Sequence, residues 1–353
     1  MTHYYVICIH EHLIRSRLIR AEFHMIVRPV RVLQAARMIS TLVGQSGREY
    51  NLQKVLQRHP KKPELSVCLA LCDKTPYVVK PVSESILEHL QEFRAEFESH
   101  PRLRIHVDKI EKESILVYEY FKTDLLALVE NYPPLPLTAR KKILKGIGNT
   151  LAEMHEKNWI HLDLKPDNIF LNWYVDSNDE FHLEKVVLGD MDCALKLKGE
   201  KLLNYKIGNV MWRSPEGQLG RGVGKPSEVF SFALLCLYVI TGVQSLHFNF
   251  AELDTEPEVV VLLKLLSTFG PLPDALTKHV DDAKAGELLT NLWQTVKEND
   301  VNGHFADWTE DVFPNLTDEV KRLILRMTNL DPAKRATMSE IVKDSYWVED
   351  EKS

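Results

Sequence analysis

The sequence predicts an α+β fold in two lobes: a small antiparallel β-rich lobe carrying one helix, then a larger and mainly helical lobe. Two features lead there. From Tyr50 the stretches "YNLQKVLQ", "LSVCLALC" and "PYVVKPV" are short, rich in β-formers and separated by polar or proline-containing turns. From about Asp124 onward, longer segments carry apolar residues at helical spacing. Between these regions "ESILEHLQEFRAEFESH" places Ile86, Leu87, Leu90, Phe93 and Phe97 on one helical stripe, and "LRIHVD" and "SILVYEYF" read as two further strands. The large lobe is expected to hold helices over 124–131, 137–157, 226–242, 256–268, 284–298 and 316–329, with a last one near 337–345. The domain is placed at 49–348, divided into 49–121 and 122–348. Residues 1–48 read as an extension and 349–353 as an acidic tail.

The composition excludes several classes. The chain has 353 residues, is 44% hydrophobic and 27% charged, and carries a net charge of −6, so nothing draws it as a whole toward nucleic acid or an anionic membrane. No apolar run reaches spanning length; "EVFSFALLCLYVITG" has the length of a buried core helix. The five cysteines form no metal-ligand pattern, and Cys68 and Cys72 suit a buried strand. An odd count without a secretory signal points to an intracellular, cytoplasmic or nuclear, setting. The first 45 residues hold six arginines against two glutamates, but their early histidines and aromatics fit an organelle presequence badly.

Chemistry concentrates in "HLDLKPDNIF" and "VVLGDMDCAL". Phosphoryl transfer needs phosphates clamped, their charge neutralised by Mg²⁺, and an acceptor hydroxyl oriented by an acid. Asp163, Asn168 and Asp190 offer the hard oxygen ligands that Mg²⁺ prefers, while Lys165 and Lys80 offer the cations.

On these residues the chain resembles the eukaryotic protein kinases across roughly 50–348. "PYVVKPV", "SHPRLRIHVD", "ILVYEYF", "HLDLKPDNIF", "VVLGDMDCAL", "GNVMWRSPE", "GKPSEVFSFALLCLYVITG" and "LDPAKRAT" follow one another in that family's order. The resemblance implies ATP and Mg²⁺ as cofactors and a protein substrate carrying Ser/Thr hydroxyls, because Lys165-Pro166 in the catalytic loop suits those acceptors. By the same resemblance Asp163 orients the substrate hydroxyl, Lys165 steadies the γ-phosphate, and Asn168 and Asp190 hold the metal. Lys80 binds the inner phosphates when paired with an acid on the following helix. Glu92 is the choice for that partner by its distance to "HPRL", with Glu96, one turn later, as the alternative. Backbone groups of Glu119 and Phe121 meet adenine, Tyr118 is the gatekeeper, and Val67, Val78 and Phe170 line the base. Glu216 and Arg335 are expected to form a buried ion pair.

Four departures qualify the match. The turn "QRHPKKPELS" lacks the glycines whose backbone N–H groups cradle phosphate, and "GQSG" at 44–47 lies too far upstream to supply them, so it reads as a linker turn. Asp190-Met191-Asp192 stands where D-F-G is expected. Leu162 replaces an arginine that usually pairs with a phosphate on the activation loop; consistently, residues 193–212 contain no Ser or Thr, and Tyr205 is their single hydroxyl. Asn209, Ser214 and Glu228 replace a threonine, an alanine and an aspartate. Alternatives therefore stand beside an active kinase: a pseudokinase serving as a nucleotide-binding or scaffolding module, and a small-molecule phosphotransferase. The sequence names neither a target protein nor an oligomeric state.

Overall fold

The computed structural model describes residues 41–59, 61–244, 255–299 and 303–348. Most of the expected extension, and the acidic tail, lie outside them. The chain divides into two compact units, with the boundary between Lys122 and Thr123.

In the first unit, β1 (Thr41–Val43), β2 (Glu49–Gln57), β3 (Val67–Cys72), β4 (Thr75–Pro81), β5 (Asp108–Ile110) and β6 (Ile115–Glu119) form one antiparallel sheet in the order β1-β2-β3-β4-β6-β5. Strand alternation sends Tyr50, Ala70, Cys72, Val79, Ile115 and Val117 into one apolar cluster. Val78, Lys80, Leu116 and Tyr118 fall on the opposite face, since Val78 pairs with Tyr118 and Lys80 with Leu116. Helix α1 (Glu84–Phe97) starts at Ser83, whose hydroxyl accepts from the Ile86 N–H, and buries Leu87, Leu90, Phe93 and Phe97 as its periodicity predicts.

Two expectations change here. The "GQSG" turn belongs to the sheet: it joins β1 to β2, and Gln45 N–H donates to Lys109 O at 2.9 Å. The Ser46 hydroxyl and the Tyr50 phenol both donate to the buried Asp108 carboxylate, at 2.5 and 2.9 Å. The strand expected over "LRIHVD" forms only at Asp108–Ile110. Residues 104–107 stay irregular and reach the sheet's backbone through Val107 N–H to Val117 O at 2.8 Å.

The second unit opens with β7 (Thr123–Asp124), α2 (Leu125–Asn131) and α3 (Leu137–Glu156). Next come β8 (Trp159–Ile160), the hairpin of β9 (Ile169–Val175) and β10 (Phe181–Leu188), and β11 (Leu195–Lys196), which pairs with β8. The helices α4 (Pro215–Leu219), α5 (Lys225–Thr241), α6 (Pro257–Phe269), α7 (Asp274–Val280), α8 (Ala283–Glu298), α9 (Asp318–Thr328) and α10 (Met338–Ile341) complete it. Apolar on every side, α5 is enclosed along its length: Phe230, Phe232, Ala233, Leu235, Cys236, Val239 and Ile240 are fully buried. It is the post against which the loop after β8 is tied. Among the described residues no helix is long and apolar enough to cross a membrane.

Candidate active site

The loop after β8 begins with His161, Leu162 and Asp163. Leu162 holds φ +64°, a left-handed conformation that costs an ordinary side chain about 1–2 kcal/mol. Glu228 on α5 holds the loop in it. Its Oε1 accepts the N–H groups of His161 and Leu162 at 2.6 and 2.9 Å, and its Oε2 lies 2.8 Å from His155 Nε2. Burial pushes the Glu228 carboxyl up, but His155 and these N–H donors outweigh it and the net shift is downward. Glu228, which stands where the resemblance expects an aspartate, thus tethers the loop to α5. His161 Nε2 faces Gly189 O at 2.9 Å, and a carbonyl only accepts, so Nε2 carries the proton. Nδ1 then accepts from Asp163 N–H at 3.2 Å, which makes His161 a support of the loop.

A 3₁₀ turn, Pro166–Asn168, folds the loop back on itself. Asn168 Nδ2 donates to both Asp163 O and Asp163 Oδ2, at 2.8 and 2.9 Å. Asn209 N–H donates to the other carboxylate oxygen, Oδ1, at 2.8 Å. Lys165 Nζ lies 3.5 Å from Asp163 Oδ2 and 3.2 Å from Asp167 Oδ2. Burial alone would pull the Lys165 ammonium down; the charges of Asp163, Asp167 and Asp190 more than offset it, and its pKa lies above the ordinary value. Lys165 is thus a fixed cation. Asp163, Lys165 and Asn168 are all buried.

The hairpin brings the second acidic element beside the first. Ile169 pairs with Leu188, and Gly189 N–H donates to Asn168 O at 2.8 Å, so Asp190 follows directly on a residue bonded to Asn168. Asp190 is half-buried with φ +60°, and Met191 beside it is buried. Asn168 commits its amide nitrogen to Asp163, leaving its amide oxygen as the ligand atom. With the Asp190 carboxylate this is the hard-oxygen donor set that suits Mg²⁺.

The following segment is held by backbone pairing. Leu203 and Val223 exchange two N–H···O bonds, at 2.8 and 2.9 Å, and Asn204 Oδ1 accepts from Gly222 N–H at 3.0 Å. Further on, Arg213 donates through Nε to Ile207 O and through Nη2 to Gly208 O, at 3.0 and 2.5 Å, and pairs with Glu258 at 3.3 Å. Gly208 has φ +80°, and a Cβ there would sit 2.0 Å from Leu162 O. Gly208→Ala is therefore expected to push Asn209 away from Asp163. Transfer should fall at least about tenfold and the unfolding midpoint should drop; a variant matching wild type in both rate and denaturant melt would refute the contact's role.

The expected pair is present. Arg335 Nη1 and Nη2 meet Glu216 Oε1 and Oε2 at 2.6 and 2.9 Å, with both side chains 0% exposed. Ser227 Oγ donates to Glu216 Oε1 at 2.7 Å, and Arg335 also donates to Asn329 O and Pro226 O.

In the first unit Val78 is buried, Val67 is half-buried, and Lys80 lies on the Val78 face of β4. On α1, Glu92 is exposed, on the side away from the buried stripe, whereas Glu96 is half-buried. The helix phase thus favours the alternative partner for Lys80. Phe121 is buried and Glu119 ends β6. Phe170 lies in the second unit, on β9 opposite Asp124 and Val187. In the glycine-free turn, His59 Nδ1 accepts the N–H groups of Lys61 and Lys62 at 3.3 and 2.9 Å. The sequence reading missed Arg104. Its Nε and Nη2 donate to Glu119 O at 3.2 and 2.8 Å, and no spacing rule links a loop residue to a strand end fifteen positions on.

Comparison with known proteins places these features in context. The family model described as "Protein kinase domain" matches residues 85–347. The Schizosaccharomyces pombe serine/threonine-protein kinase ppk23 is 26% identical over 250 residues, 70% of this chain and 56% of that protein. The Arabidopsis thaliana U-box domain-containing protein 35 is 28% identical over 212 residues, covering 54% of this chain and 24% of that protein. The matched region thus spans between about a quarter and just over half of these relatives' length. A chain in the crystal structure of the yeast RNA Pol II CTD kinase CTDK-1 complex superposes with a TM-score of 0.63 at 17% identity, covering 90% of this chain and 96% of that one. That likeness is one of fold.

Proposed function

This chain belongs to the protein kinase family, and we propose that within it the chain is an active enzyme moving the terminal phosphoryl group of a Mg²⁺-bound nucleoside triphosphate, ATP in this family, to Ser/Thr hydroxyls of a protein. One observation carries the reading: Asp163 is held through both carboxylate oxygens, beside a buried ammonium, with its partner Asn168 bonded to the residue preceding Asp190. When bound, Mg²⁺ would neutralise charge on the phosphates from Asn168 and Asp190. Asp163 then orients and receives the acceptor's proton, and Lys165 offsets charge on the moving phosphoryl group. Lys80 is assigned to the inner phosphates, and Lys165-Pro166 supports Ser/Thr acceptors.

A second reading, a pseudokinase, draws on the turn after β2. Backbone N–H groups that would face phosphate in a glycine-rich loop are here committed to His59. The small-molecule alternative finds less support, because the Glu216–Arg335 pair that the resemblance to protein kinases implies is present. The deciding assay measures transfer from Mg·ATP or Mg·GTP to mixed Ser/Thr and Tyr peptides, against Asp163→Asn. Transfer to Ser/Thr peptides above that control is the expected result. Nucleotide binding with no transfer above it would establish the pseudokinase instead.

A further inference from the structure

The geometry points to Glu258, the second residue of α6, as a positioning residue for Asp163 that acts through Arg213, an inference that rests on the transfer reaction proposed above. The N–H that reaches Asp163 Oδ1 at 2.8 Å belongs to the peptide unit joining Gly208 to Asn209. The oxygen of that same unit, Gly208 O, accepts from Arg213 Nη2 at 2.5 Å and from Arg213 Nε at 3.1 Å. A trans peptide unit is a rigid plane whose N–H and C=O point in opposite directions. Asp163 and the Arg213 guanidinium therefore grip the two ends of one plate. If the carbonyl end turns, the N–H swings off the carboxylate.

Arg213 keeps its grip only while its own charge is balanced. It is buried, and burial pulls the pKa of its guanidinium down; the largest opposing influence is the Glu258 charge. Arg213 Nη1 donates to Glu258 Oε1 at 3.3 Å, and Lys206 Nζ lies 3.7 Å from the same oxygen. One half-buried carboxylate thus serves two cations of the segment. Its support is firm, since Val261, Leu262 and Leu265 of α6 pack in one apolar cluster with Phe230 and Leu234 of α5. Helix α5 therefore fixes both partners: the loop of Asp163 through Glu228, and the facing peptide through α6, Glu258 and Arg213. Removing the Glu258 charge leaves a buried cation whose remaining hydrogen bonds run to the carbonyls of Ile207 and Gly208. The guanidinium then relaxes toward water, Gly208 O loses its donors, and the plate is released.

The test compares wild type, Glu258→Gln and Glu258→Asp in the full chain. Steady-state transfer from Mg·ATP to mixed Ser/Thr peptides is read against Asp163→Asn, and amide hydrogen exchange is read on the ligand-free proteins. Glu258→Gln is expected to lower kcat about tenfold, with KM for peptide and nucleotide within about twofold. Exchange at the Asn209 amide should quicken about tenfold while the amides of the β9–β10 hairpin keep their protection. Glu258→Asp, with the charge on a shorter arm, should fall between. Wild-type kcat in Glu258→Gln, or a lowered kcat with Asn209 exchange unchanged, overturns the inference and leaves the kinase reading intact. A rise in KM alone, or faster exchange spread evenly over the chain, also overturns it, as a docking or a general structural role. If the wild type transfers no phosphate above Asp163→Asn, the kinase reading falls and the role in transfer falls with it.

Discussion

Asp163→Asn is expected to lower phosphoryl transfer by about 10²–10⁴-fold, the usual contribution of a positioned acid or base. The substitution keeps the shape of the side chain and one oxygen to accept from Asn209 N–H, but it removes the proton acceptor. It also sets an amide N–H₂ group against the Asn168 amide nitrogen, or else against the Asn209 N–H. That mismatch costs about 1–3 kcal/mol of stability. Lys165 keeps a carboxylate partner in the variant, because Asp167 Oδ2 lies 3.2 Å from its Nζ. Rate and stability thus separate. A denaturant melt should shift modestly while steady-state transfer collapses, and transfer by Asp163→Asn within about threefold of wild type would remove Asp163 from the mechanism.

Arg335→Met carries the largest expected effect on stability, a loss of about 3–5 kcal/mol, because it strands a fully buried carboxylate. In the native protein burial raises the Glu216 pKa and the Arg335 charge and hydrogen bonds more than reverse this, so the net shift is downward. A depressed carboxyl pKa contributes stability above the unfolded value, and that contribution is lost as pH falls through the folded one. Without Arg335 only the Ser227 hydroxyl and a backbone hydrogen bond oppose burial, the largest single cause, and the sign is expected to invert: Glu216 becomes harder to ionise folded than unfolded. The variant's deficit should therefore shrink as pH is lowered through the ordinary carboxylate range. Glu216→Gln added to Arg335→Met should recover part of the loss at neutral pH. Urea midpoints for the single and double variants across about pH 4–8 check this, and a deficit independent of pH would contradict it.

Much of this was legible in the residues. The helices over 137–156, 225–241, 257–269 and 283–298 lie within a residue or two of their periodic stretches, because each has an apolar stripe or an apolar run bounded by Pro, Gly or Asp. Glu216 and Arg335 were readable as a pair from their places in "SPE" and "LDPAKRAT". What could not be read depended on contacts between distant segments. Spacing to "HPRL" selects Glu92, whereas the phase of the buried stripe on α1 leaves Glu92 exposed and Glu96 half-buried. "LRIHVD" has a strand's composition, yet Arg104 turns to Glu119 and only the last residue of the run joins the sheet. Asn209 reads as a polar substitution, whereas its contribution to Asp163 is a backbone N–H that any residue but proline would supply.

The strand at Thr41–Val43 bears on how this domain is handled at the bench. A fragment started at residue 49, where strand-like composition begins, would lack the partner of β2 and the Ser46 bond to Asp108. The N–H and C=O groups of β2 that now pair with β1 would become an open edge, continuous with a stretch where Val55 and Leu56 are already exposed. Such an edge invites pairing between copies, so a shortened preparation would lose material to aggregation for a reason unrelated to the candidate site.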